Sequence, residues 1–430
     1  MFVSRARKQE GKKVKILWIT NMIVGDLALS RGMKLTSGQW LNAEIDNEKS
    51  KGINEIVICT SGTETTELKK DNIKYVVLAH GNVSSYSSTE ERIADWKRVF
   101  ETEKPDLVLV WGTEYDIGKC ALLANQRKIP SLIYIQGVMC SIEKHYRGGL
   151  SDKEISKFTT FLEKVRKTTV WDLEKRQHTR AEVEKECIKL ADGVVLENDW
   201  AEEQYRKISP DLKVFRSRLP IKKKFAEYSW KENEYEKYSI VTTAANYPLK
   251  GLHKLLEAIN MVKEKYPNVK LYVPGQNNVT TKGFKANLKR SGYCRKIAND
   301  MKRYGIEDKV VFTGPLSTEQ YAERMKNSNV FVSASAIENH CSALREAMSC
   351  GVPCIASRVG GIPEYAKDRE NCSLYEFSDS QALAEKICEI FEDEPLRARY
   401  SENGKAKIKR MYNEENLMSL TEVYEKISPV

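Results

Sequence analysis

Paired cysteines, long apolar runs and acidic metal motifs are missing from this sequence, and each absence narrows its chemistry. The ten cysteines are scattered from Cys59 to Cys388 without a Cys-x-x-Cys pair. The closest two, Cys350 and Cys354, flank Gly351 and Pro353, which read as a turn into a strand. This spacing argues against a zinc site or a disulfide framework, and scattered thiols suit a reducing cytosol. No stretch approaches the ~18 consecutive apolar residues of a membrane-spanning helix. The apolar segment Val14–Thr20 follows a basic, polar start and has no small-residue cleavage site after it. It therefore reads as a strand rather than a signal peptide, and the expected location is cytoplasmic. The following loop, Thr20–Gly25, has no Gly-x-Gly-x-x-Gly, which disfavours a dinucleotide oxidoreductase. No basic run is interleaved with stacking aromatics, so nucleic acid is not an expected partner.

What is present is a chain of 430 residues, above the usual limit for a single core, which points to two domains. Hydrophobic residues make up 41% and charged residues 30%, as in ordinary globular proteins. The net charge is +10, with basic runs at Arg5–Lys15 and Lys222–Lys224. That charge serves solubility, or it attracts the chain to phosphate-bearing ligands or to an anionic membrane face.

Short apolar strands alternate with amphipathic helices nearly throughout. Val14–Thr20, Glu55–Thr60, Lys74–Ala79, Asp106–Trp111, Ser131–Ile135 and Gly193–Glu197 read as strands, with helices at Gln39–Lys51 and Glu90–Glu103. Strands that are nearly all apolar predict a parallel sheet covered on both faces. Ser151–Leu190 is long, charged and helical in pattern, and is expected beside the first sheet. Arg218–Tyr238 is polar and reads as a linker. A second series follows: Tyr238–Ala244, Val269–Val273, Lys309–Thr313, Val330–Ser333 and Pro353–Ser357 as strands, with Leu252–Lys265 and Ser342–Cys350 among the helices. Gly351 with Pro353 just beyond is good helix-stop chemistry. Helices at Gln381–Glu392, Arg397–Met411 and Asn413–Ile427 complete the chain. The expected domains are 1–228, 229–411, and a final helix in 412–430 that returns to the first domain.

In open parallel sheets ligands bind beyond the carboxyl ends of the strands, so the loops after strands matter most. Three stand out. In Ala244–Gly251, Lys250 beside Gly251 at the start of a helix can meet a phosphate, or it is a solvated surface lysine. In Ser333–Glu346, Glu338 on the loop can accept hydrogen bonds from sugar hydroxyls, and Glu346 inside the helix can hold a ribose diol. Glu338 could instead be a solvated loop residue, with Glu346 pairing Arg345 or another surface cation. The helix start at Ser342 and Ala343 can aim N–H groups at an anion. In Val359–Glu364, Gly360 and Gly361 permit a close backbone approach to a ligand, or form a plain turn.

Taken together, these residues resemble a known family. Glu338 and Glu346 with seven residues between them, Gly351-Val352-Pro353, and Gly360-Gly361-Ile362-Pro363-Glu364 resemble the donor-site signature of glycosyltransferase family 4. The resemblance is strong from about Tyr238 to Glu364. It implies a GT-B fold: two Rossmann-like, doubly wound parallel-sheet domains facing a cleft. It also implies transfer of a sugar from a nucleoside diphosphate with retention, to a saccharide or lipid-linked acceptor bound in the N-terminal domain. Lys250 matches the family's phosphate-binding lysine, and Gly314-Pro315 its nucleobase-side loop. Gly38, in Ser37-Gly38-Gln39-Trp40, resembles the glycine loop near the donor phosphates. Ile135-Gln136-Gly137 with His145-Tyr146 looks like a subgroup of bacterial surface-polysaccharide transferases, which makes His145 a catalytic candidate or a plain surface residue.

Two departures stand out. Ala245 replaces an arginine that family members often carry as a second phosphate clamp, and Asn339 replaces the glycine after the first glutamate, where it could alter sugar selectivity. No Asp-x-Asp motif sits on a loop suited to a metal, so no metal or other cofactor is expected. A basic N-terminal face would hold the enzyme near an anionic membrane. The alternatives are a GT-B-like nucleotide-sugar epimerase and a non-catalytic sugar-nucleotide-binding protein, the latter supported by Ala245.

Overall fold

The computed structural model describes residues 14–33, 39–81, 88–219, 221–243, 246–280, 283, 290–412 and 418–427. Gly38, Ala245 and most of the first basic run lie outside the described residues.

The first sheet contains β1 (Lys15–Thr20), β2 (Glu55–Ser61), β3 (Thr66–Lys70), β4 (Ile73–Leu78), β5 (Leu107–Trp111), β6 (Ser131–Tyr134), β7 (Gly193–Leu196) and β8 (Lys213–Arg216). Their order is β3-β4-β2-β1-β5-β6-β7-β8. All neighbours are parallel except β3 against β4. Successive residues of a strand face opposite sides, and both sides are apolar. Leu17, Val57, Val108 and Ile133 enter one core, while Ile16, Trp18, Ile56 and Leu109 enter the other. This is why the central strands read as continuous apolar runs rather than alternating ones. β3 escaped the sequence reading for the opposite reason: its sequence, TELKK, is polar and sits exposed at a sheet edge.

The second sheet contains β9 (Glu236–Thr242), β10 (Lys270–Pro274), β11 (Val310–Gly314), β12 (Ser328–Ser333), β13 (Cys354–Ser357) and β14 (Ser373–Tyr375). The order is β11-β10-β9-β12-β13-β14, all parallel. The strand order reverses between β9 and β12, whose ends are in register at Thr242 and Val332. This reversal is a topological switch point, and the ends of strands at such a point are the usual place for a ligand.

The segment Ser151–Leu190 corrects one expectation. It forms three helices, Asp152–Phe158, Phe161–Arg166 and Val170–Leu190, each begun by a capping box (Ser151 with Glu154, Thr160 with Glu163, Thr169 with Asp172). The first part does not lie beside the first sheet. Leu150, Ile155 and Val170 bury in the core of the second domain, with Leu255 and Tyr293. Only the later turns of the long helix, through Ala181, Val183, Cys187 and Ile188, return to the first core. The first sheet's face is already covered by helices such as Asp116–Asn125, so the few apolar residues of the insertion are buried elsewhere. Buried His253 reinforces this strap. Its Nε2–H donates to the Gly148 carbonyl at 2.9 Å, and its Nδ1 lies 3.0 Å from the Tyr293 hydroxyl. Burial holds its pKa down to about 4, with the charge of Lys296 adding to the effect, so the ring is neutral.

The crossover to the second domain is short. Phe225 and Trp230, inside the polar segment read as a linker, are already buried in the second core. At the far end, helix Glu394–Met411 completes the second domain, and helix Leu420–Ile427 places Leu420, Val423 and Tyr424 in the first core with Ile16 and Trp18.

Candidate functional site

The loops after β9 and β12 meet because a glycine lets them. The chain leaves β9, makes a tight turn at Pro248–Lys250, and starts helix Leu252–Lys265 from Gly251 at φ +67°. A Cβ on Gly251 would fall 1.8 Å from the Ala334 carbonyl oxygen, just beyond β12. The Ala336 N–H donates to the Leu249 carbonyl at 2.7 Å and fixes the contact. Lys250 and Glu338, 88 residues apart in sequence, are thereby placed with Nζ and Oε1 2.5 Å apart. The Ser335 hydroxyl donates to the same carboxylate oxygen at 2.6 Å. Burial opposes charge on both groups, yet each stabilises the ionised form of the other. The Lys250 ammonium is held above its ordinary range and the Glu338 carboxyl below its own.

The paired glycines pack closely against the same loop. A Cβ on Gly360, at φ +55°, would lie 1.8 Å from the Glu338 carbonyl oxygen, and one on Gly361 would lie 2.2 Å from that of Asn339. Gly360→Ala is therefore expected to destabilise the protein by several kcal/mol, since a left-handed residue with a side chain costs about 1–2 kcal/mol before any clash. Chemical denaturation checks this, and a variant as stable as the parent would refute the contact.

Helix Ser342–Cys350 begins directly after the loop. Its cap position, Cys341, is in the left-handed region at φ 44°, and no side chain caps the helix. Its first residues, Ser342 and Ala343, line a cavity of about 330 Å³ together with Lys250, Glu338, Gln136 and Trp200. The cavity lies between the two domains, since Gln136 and Trp200 come from the first. It therefore places an ammonium, a carboxylate and the positive end of a helix dipole around one space. The helix ends at Gly351, at φ 79°, as the stop signal predicted.

A second cavity of about 240 Å³ adjoins the first through His340 and Ser342, and is lined by Glu346, Lys222, Tyr321 and Leu316. Glu346 projects from the helix into it. Burial raises its pKa to about 7 against the pull of Lys222 and Arg345. Gly314, at φ 78°, ends β11, and Pro315 follows it. That turn delivers Leu316 and Ser317 to the cavity wall, but neither Gly314 nor Pro315 lines it.

Sequence reasoning missed the polar seam between the domains. Arg345 does not pair with Glu346. It donates to Glu197, at the end of β7, at 2.8 Å, and both side chains are almost fully buried. Glu197 also accepts from the Leu219 N–H at 3.3 Å, with the His340 ring 3.9 Å away. Burial works against the Glu197 carboxylate, but Arg345 and His340 prevail and its pKa is lowered. Burial also keeps His340 below the ordinary histidine range, more strongly than Glu197 raises it. Asn339 joins the same seam. It donates to the Gln136 carbonyl at 2.7 Å and accepts from Asn198 at 2.8 Å. Although it lines the first cavity, its amide is committed to the other domain. Glu364 accepts from the Asp199 and Trp200 N–H groups at 3.0 and 2.6 Å, capping a helix of the first domain from the second. Asn198, the N-cap of that helix, was the one local signal available; its partners across the seam left none.

His145 is set apart from these groups. It ends helix Met139–His145, is exposed, and turns its Nδ1 to the Ser141 carbonyl of its own helix at 2.8 Å. Residues from the other end of that segment, Val138 and Ile142, are the ones that reach the cavity.

Residues 224–407 match the family of glycosyl transferases group 1. The N-acetyl-alpha-D-glucosaminyl L-malate synthase of Bacillus anthracis is 33% identical over 119 residues, covering 28% of this chain and 31% of that one. The D-inositol 3-phosphate glycosyltransferase of Corynebacterium urealyticum is 26% identical over 176 residues, covering 41% and 40%. The chain thus spans less than half the length of either relative. Among solved structures, sucrose-phosphate synthase from Thermosynechococcus elongatus superposes with a TM-score of 0.66 at 16% identity, over 96% of this chain and 99% of that one. The C-terminal half of this chain therefore carries a glycosyl transferases group 1 domain, set within a two-domain GT-B fold.

Proposed function

We propose that the protein is a retaining glycosyltransferase that takes a sugar from a nucleoside diphosphate held between its domains and passes it to a saccharide or lipid-linked acceptor. The observation that carries this reading is the Lys250–Glu338 pair facing the uncapped start of helix Ser342–Cys350 across one cavity. Departure of a nucleoside diphosphate builds negative charge on its terminal phosphate. An ammonium and helix N–H groups already in place stabilise that charge without reorganisation. Glu338 is positioned to accept hydrogen bonds from the donor sugar. Glu346, in the adjoining cavity, is suited to the ribose diol, with Leu316 and Tyr321 as apolar walls for the base. The relatives' names, which describe joining a sugar to malate and to an inositol phosphate, agree with group transfer. The positive charge comes from the chain itself, so we expect turnover without a divalent metal.

Thermal stabilisation by a panel of nucleoside diphosphates and their sugars, with magnesium and with a chelator, tests the reading. Only a ligand that prefers the folded state raises the melting temperature. A shift with one nucleotide series in both conditions supports it, and no shift with any of them removes it. Product NMR then reads the anomeric configuration, and inversion would exclude the retaining assignment.

Glu346→Ala is expected to weaken donor binding by about tenfold or more, since two hydroxyls lose a charged acceptor. In the parent, affinity is expected to rise between about pH 6 and pH 8, because Glu346 is raised to about 7 and ionises across that range. Calorimetry showing a flat pH profile, or unchanged affinity in the variant, would take Glu346 out of the site.

A further inference from the structure

We propose that helix Phe161–Arg166 and the turn after it form a wedge that docks on an anionic lipid surface. Phe161 is 78% exposed and Val165 62%, the two highest values among the exposed large apolar side chains of the described residues. They lie four residues apart on a helix, hence on one face. Isolated exposed apolar residues need no explanation, but two stacked on one helix face and ringed by charge of one sign do.

That charge is positive and uncommitted. Lys164, Arg166 and Lys167, on the helix and the turn after it, are exposed and form no ion pair with a described residue. The nearby acids are all engaged. Glu163 is buried, closes the capping box with Thr160, and accepts from the Gly292 N–H at 2.7 Å. Asp152 and Glu174 hold Arg147. Glu154 and Asp172 cap their own helices. The Glu163–Gly292 bond also fixes the wedge to the body of the second domain, so the apolar pair is presented by a rigid support.

An apolar tip within a ring of cations matches the boundary of an anionic bilayer, where the tip leaves water and the cations meet phosphates. A second copy is a poorer occupant, because a two-fold contact of this patch would bring its three cations against their equivalents. No helix of the described residues is long and apolar enough to cross a membrane, so this contact would be peripheral. It does not depend on the donor chemistry.

Flotation of the full chain tests the wedge, using phosphatidylcholine vesicles with and without about one-third phosphatidylglycerol. The parent is expected to float with the anionic vesicles only, and less as salt rises. Replacing both apolar residues (Phe161→Ser with Val165→Ser) is expected to lower partitioning at least about tenfold. Replacing three cations (Lys164→Ser, Arg166→Ser, Lys167→Ser) is expected to lower it about a hundredfold on anionic vesicles. All these side chains are exposed, so the melting temperature should match the parent's and serves as the folding control. The proposal is overturned if the parent floats with neither vesicle, or if either variant floats as the parent does. It is also overturned if the parent is a dimer in solution that Phe161→Ser dissociates, which would give the patch to a second copy.

Discussion

Lys250→Ala is expected to lower kcat by about a hundredfold or more, with a smaller loss in donor affinity. The asymmetry follows from where charge develops. The ground-state diphosphate already carries charge that Lys250 and the Ser342 helix share. The extra charge appears only as the glycosidic bond breaks, and an ammonium already in place stabilises that state without moving. A hundredfold loss corresponds to about 2.7 kcal/mol of transition-state stabilisation. The substitution also leaves Glu338 without the cation that keeps it ionised, so burial would push its carboxyl toward the neutral form. Single-turnover rates with donor affinity from calorimetry separate the two effects. Turnover within about twofold of the parent would remove Lys250 from the chemistry, and an equal fall in both quantities would make it a ground-state anchor only.

Arg345→Met is expected to cost about 3–5 kcal/mol of stability, the range for breaking a buried pair from one side. Arg345 is 148 residues from its partner in sequence, and the Glu197 carboxylate it leaves behind is almost fully buried. Removing both charges (Glu197→Leu with Arg345→Met) is expected to recover much of that loss, because neither charge is then stranded. The pH dependence has a definite sign. The Glu197 carboxyl is held below its ordinary value of 4.5 in the folded chain. Its contribution is therefore complete above that value and fades as pH falls through the depressed one. The gap between parent and Arg345→Met should narrow in the same acid window. Denaturant titrations of the parent, both single variants and the double variant give the coupling directly. A single variant as stable as the parent, or a double variant no better than the worse single, would show that the pair does not join the domains as described. The domain seam also bears on catalysis, since Asn339, His340 and Arg345 lie within eight residues of Glu338. A change in how the domains close would move the site with them.

Much of the second domain was written locally. Leu252–Lys265 and Ser342–Cys350 occur where the apolar spacing and stop residues put them, because a helix is set by contacts three and four residues apart. The strands flanking the site were equally readable, since burial on both faces leaves an apolar run. The second half of the chain therefore sufficed to bring Lys250 and Glu338 into question, and β9 and β12, being neighbours, bring them together.

Other features had no local signature. Ile155 looks like one apolar residue in a charged helix, and only the packed chain shows that it seals the core of the other domain. Gly360 and Gly361 read equally well as a cradle for a ligand, until the Glu338 and Asn339 carbonyls are seen occupying the space. Arg345 and Glu364 have nearby residues that could have paired with them, yet both reach across to the first domain. The sequence by itself determined the strands, the helices and the residue types offered at their ends, because those depend on neighbours a few positions away. Which of those residues face a ligand and which lock one domain to the other was decided only in three dimensions, because it depends on how two sheets, each folded from its own stretch of the chain, come to rest against each other.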